Sequence, residues 1–183
     1  MKKSMFLNNI IIPLFILAVC SLSSLLHENL TYIANVLPYR YLVFILACLI
    51  SYNFYTQFSY IFIKTHFNKY KLSSFILYFT FLIPIAVLIP YSKKDILLSN
   101  LHVWISFGGS ISFIILLHFF LWYLAKTQIT LYQQILPIYI FIISGLFSLF
   151  IWLGSVNSLI EIFFIWTLNL LIYRLNRLLY DEY

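Results

Sequence analysis

From Phe113 to Ala125 the chain reads FIILLHFFLWYLA, an apolar stretch interrupted only by His118. A membrane β-strand alternates lipid-facing and lumen-facing residues over about 10 positions, and this stretch does not alternate. Neither does IIIPLFILAV, from Ile10 to Val19. In hydrocarbon, backbone polar groups must be satisfied within the segment itself, which a helix achieves. Working outward, 63% of the residues are hydrophobic, 21% aromatic and 9% charged, against roughly a quarter charged in soluble domains. No aqueous fold of 183 residues could hide that much apolar surface. A bilayer core about 30 Å thick takes about 20 apolar residues per helical span. Six such runs follow one another: Leu7–Leu26, Tyr41–Ile63, Leu72–Tyr91, Leu101–Ala125, Ile135–Leu153 and Val156–Tyr173. The expected fold is all-α: a polytopic integral membrane protein, one compact bundle of six transmembrane helices over residues 1–183, multi-pass in the cell membrane.

Lys and Arg in short connections set the orientation. With the N-terminus in the cytoplasm, the inner side collects Lys2, Lys3, Lys64, Lys69, Lys71, Lys126, Arg174 and Arg177, and the outer side only Arg40, Lys93 and Lys94. Both termini are therefore expected inside, and the net charge of +6 needs no nucleic-acid partner. Tyr39, Tyr41, Tyr91, Trp104, Trp122, Tyr123 and Tyr173 fall near span ends, as interfacial aromatic belts do. Pro13 and Pro137 lie near span starts. Pro84 and Pro90 fall inside the third span, where each removes a backbone donor and a kink is expected.

The opening MKK and apolar run resemble a secretory signal, with Leu17-Ala18-Val19-Cys20 as a loose lipoprotein box. Val19 stands where such a box needs a small residue, so an uncleaved first span is expected. Cys20 and Cys48 lie at similar depths and could bond if their helices touch, although buried free thiols are the commoner state. No CxxC or HExxH spacing occurs, so no metal or cofactor is expected.

Among eleven Lys or Arg and five Asp or Glu, only Glu161 lies inside a long apolar run. An acid there marks a candidate site. Asn157, at i−4, shares its face. On span four His102, Ser106, Gly109, Ser110 and Phe113 share another face, which serves equally to let helices approach closely. His102 and Glu161 both start from the outer side, Glu161 about 10 Å below its helix end. A candidate ligand site thus comprises Glu161, Asn157, His102, Ser106 and Asp95, beside the outer connection from His27 to Arg40. The competing reading makes Glu161 hydrogen-bonded packing glue. His118, about 160° around and roughly 24 Å inward of His102, cannot join that site. Asn53 and Gln57 on span two share a face and are expected to bond between helices.

Three segments carry a family resemblance: Ile89-Pro90-Tyr91, Leu98-Ser99-Asn100-Leu101-His102-Val103 and Asn157-Ser158-Leu159-Ile160-Glu161. Within six spans, a proline closing span three, a histidine opening span four and an acid in the last span resemble the DRAM/Frag-like six-span family over the second half of the chain. That resemblance implies a membrane protein of lipid organisation and trafficking, with His102 and Glu161 as the carried-over positions. The leading expectation is a non-enzymatic protein that handles a lipid or small solute, or an accessory subunit of a membrane complex. A second is an intramembrane hydrolase or transferase with Glu161 and His102 as acid and base, for which Ser106 and Ser110 show no activating triad. A third is a substrate-binding subunit resembling those of vitamin-type transporters in size and topology, without their alanine-rich seam in span one.

Overall fold

The structure is a computed structural model and describes residues 10–36, 39–67, 78–91 and 95–181. Among these every long element is helical: α1 (Ile12–Cys20), α2 (Leu30–Asn35), α3 (Arg40–Lys64), α4 (Leu82–Leu88), α5 (Ile96–Thr127), α6 (Ile129–Leu153) and α7 (Ser158–Asp181). A short 3₁₀ turn, Phe79–Phe81, leads into α4. Four of these helices, α3, α5, α6 and α7, are long and apolar enough to cross a membrane. Lys2, Lys3, Lys69, Lys71, Lys93 and Lys94, together with the starts of the first and third apolar runs, lie outside the described residues.

The long helices outrun the apolar stretches that announce them. Helix α5 starts at Ile96 rather than Leu101 because Asp95 caps it, accepting the Leu98 N–H at 3.0 Å. Helix α6 starts at Ile129, so Pro137 lies inside it. Its end is set by Gly154, whose φ of 70° places it in the left-handed region that commonly closes helices. Pro90 does not kink the third segment. It stops the segment, because Ile89 before it is forced to extended backbone (ψ 120°) after Leu88. Pro84 lies in the first turn of α4, and the Thr80 carbonyl that would have received its N–H takes the Ser51 hydroxyl of α3 at 2.9 Å.

Helix α3 is central, packing on α1, α2, α4 and α7. Phe54, Phe58 and Phe62 stand at i, i+4, i+8 on α3 and meet Phe113 and Phe120 of α5. Phe54 stacks on Phe113 at 5.5 Å, and Phe62 meets Phe120 at 5.1 Å. Helix α5 approaches α4 closely at Gly109, where a Cβ would sit 3.2 Å from the Phe79 carbonyl oxygen. The most apolar windows of α7 and α3 are 56% and 44% buried, that of α6 only 11%. Helix α6 is thus peripheral, lying on α5 and α7. At one end of the bundle Tyr123 Oη and Gln128 Nε2 both donate to the Thr65 carbonyl, at 2.9 and 3.3 Å, which gathers the ends of α3 and α5 with Lys64 and Lys126. The opposite end carries α2 and the starts of α5 and α7.

Candidate functional site

Helix α2 begins at Asn29, whose Oδ1 accepts the Tyr32 N–H at 3.0 Å as an N-cap. The Leu30 N–H, another first-turn donor with no intrahelical acceptor, goes to Glu161 Oε2 at 2.9 Å. Thr31 Oγ1 lies 3.1 Å from His102 Nε2, and His102 Nδ1 lies 3.0 Å from the Ile89 carbonyl oxygen. A carbonyl only accepts, so Nδ1 donates to Ile89, and Nε2 is the ring atom that faces the Thr31 hydroxyl. The Tyr91 ring meets the buried His102 ring edge-on at 5.8 Å. Asn35 closes the helix: its Oδ1 accepts from Arg40 Nη2 at 2.7 Å and from the Tyr91 N–H at 3.0 Å.

Helix α7 is capped in return. Asn157 Oδ1 accepts the Ile160 N–H at 3.2 Å, and its Nδ2 donates to the Leu26 carbonyl at 2.8 Å. The Ser158 and Leu159 N–H groups cross to the carbonyls of Glu28 at 2.7 Å and Leu25 at 3.1 Å. Asn29 Nδ2 donates to the Val156 carbonyl at 3.3 Å. The segment that leads into α2 thus takes open donors of α7, while Glu161 in the first turn of α7 takes an open donor of α2. The Glu28 carboxylate accepts the Ser24 N–H and, lying beside Tyr32, pushes that phenol above its ordinary range.

Three of the sequence-expected site residues thus converge on residues 25–35. Glu161 and His102 do not hydrogen-bond each other; each holds one of two successive residues, Leu30 and Thr31. Asp95 is the exposed N-cap of α5, its Oδ1 accepting the Leu98 N–H, and among the described residues it hydrogen-bonds none of Glu161, Asn157 and His102. Ser106 lies a turn beyond His102, and its carbonyl accepts the Ser110 hydroxyl at 3.1 Å. Among the described residues no three His, Cys, Asp or Glu side chains group closely enough to hold a metal ion.

Elsewhere, Asn176 Nδ2 of α7 donates to Gln57 Oε1 of α3 at 2.9 Å, the interhelical bond expected of that face. His118 is exposed, 3.5 Å from Tyr139 Oη. Cys20 and Cys48 are free thiols. Asn29, Thr31 and Asn35 escape a reading that treats residues 27–40 as a loop. The available signal is Asn29 directly before Leu30-Thr31-Tyr32-Ile33-Ala34, a capping residue ahead of a mostly apolar run. No known protein family, curated protein or solved structure matches the chain.

Proposed function

We propose that this chain is a non-enzymatic integral membrane protein of the cell membrane that handles a lipid or small solute or serves as an accessory subunit. In this reading Glu161, Asn157 and His102 form a clasp on the outer connection. One observation carries it: Glu161 Oε2, Asn157 Nδ2 and both ring nitrogens of His102 are engaged by Leu30, Leu26, Thr31 and Ile89, groups of the outer connection and of the end of the third segment. Six apolar segments with both termini inside complete the proposal. It is supported by the burial of Ile12, Ile16 and Ala86, from the first and third segments, among the long helices. The DRAM/Frag-like resemblance belongs to the same proposal.

A fluorophosphonate probe on membranes containing the full chain separates clasp from hydrolase. The clasp reading expects no labelling of Ser106 or Ser110. Labelling that disappears in Glu161→Gln and His102→Asn, with folding retained, overturns it.

A further inference from the structure

Trp166, Asn169, Leu170 and Tyr173 fall on one stripe of α7. With Pro13 and Leu14 of the first segment they line a groove of about 700 Å³. Its rim faces the surroundings of the bundle, since Leu14 is 59% and Leu170 50% exposed. Trp166 Nε1 closes one end by donating to the Pro13 carbonyl at 3.2 Å. Asn169 at the floor is different: it is 2% exposed, and neither its Nδ2 nor its Oδ1 has a partner. An unpaired carboxamide is costly in an apolar setting, where water cannot compensate it. Its terminal torsion is soft, so turning it into the groove gives up no hydrogen bond. Arg177 continues the same stripe one turn beyond Tyr173, about 12 Å along the axis from Asn169. Arg174 flanks it. Long side chains on a helix tend to lean toward its N-terminus, which is the groove side of both arginines.

We propose that this groove binds one anionic glycerophospholipid, with an acyl chain along Leu14 and Leu170, an ester carbonyl on the Asn169 amide and the phosphate at Arg177 and Arg174. The inference rests on the membrane reading above and names a ligand class for it. Basic residues at a span end are ordinary membrane topology by themselves. The buried unpaired amide on an apolar groove, with Arg174 and Arg177 following it along the same helix, is what matches the order of chain, ester and phosphate in such a lipid.

Native mass spectrometry of the full chain in mild detergent, titrated with dioleoyl-phosphatidylglycerol or dioleoyl-phosphatidylcholine, tests it. One phosphatidylglycerol should bind. Asn169→Leu should lower its occupancy roughly tenfold, about what one hydrogen bond in a dry site is worth. Leu14→Trp, at a largely exposed position, should block the groove, and Arg177→Gln should remove the preference over phosphatidylcholine. Phosphatidylglycerol binding unchanged in Asn169→Leu and Leu14→Trp overturns the proposal, as does binding of neither lipid. A dimer that Leu14→Trp dissociates also overturns it and gives the groove to a second copy. Failure of the membrane reading is seen separately, as extraction of the chain from membranes by alkaline carbonate.

Discussion

Leu30 and Thr31 are ordinary residues in the sequence, yet the two least ordinary residues of the apolar runs are directed at them. Glu161 can be singled out without a structure because an acid in hydrocarbon is costly. Its partner cannot, because the Leu30 N–H lies 131 positions away and any backbone donor would serve. The role is tested by shape and charge separately. Glu161→Gln keeps an acceptor for Leu30 and should change unfolding free energy in detergent by less than about 0.5 kcal/mol, within the range of a benign substitution. Glu161→Leu strands the donor and should destabilise by about 1–3 kcal/mol. If Glu161→Gln were as damaging as Glu161→Leu, the carboxylate charge would be required and the clasp account would fail. For His102 the informative experiment is a double-mutant cycle with Thr31. His102→Phe and Thr31→Val should couple by about 1 kcal/mol, whereas additive losses would mean that the 3.1 Å approach contributes nothing.

Among the elements, the four long helices were legible and their ends were not. Apolar runs break at Ser99, Asn100, Gln133 and Gln134, but a helix continues through such residues as long as its hydrogen bonds have acceptors and its ends have caps. Proline shows the same division. Pro84 and Pro90 can be read as donor-free positions, but only the fold shows that Ser51 covers the carbonyl left by Pro84. Ser51→Ala should therefore cost about 1 kcal/mol in the native background. It should cost less when combined with Pro84→Ala, which restores a donor for the Thr80 carbonyl; equal costs in both backgrounds would refute the coupling. The α6–α7 contact depends on Gly145, where an added Cβ would overlap Phe163 Cζ. Gly145→Ala should destabilise by about 1–3 kcal/mol through overpacking. Shortening the ring with Phe163→Leu should recover part of that loss, measured by thermal unfolding of the purified variants.

For the molecule as a whole, the basic end and the α2 end offer a direct check of orientation. In a background with Cys20 and Cys48 replaced by Ala, Val36→Cys should react with an impermeant maleimide in intact cells. Thr127→Cys should react only after lysis, and the reverse pattern would invert the proposed topology. Composition and periodicity alone determined that the chain is helical and membrane-like, because 63% hydrophobic content in unbroken runs has few other physical solutions. They also isolated Glu161, since a lone acid in hydrocarbon is improbable without a role. What only the tertiary structure decided was where each polar group goes. Glu161 of α7 takes the Leu30 N–H of α2, the segment before α2 takes the first donors of α7, Asp95 caps its own helix, and Asn169 is left unpaired on a groove. Burial acts on residue type and leaves a mark in composition. A hydrogen bond between segments depends on the position of one atom, and no local pattern encodes its distant partner.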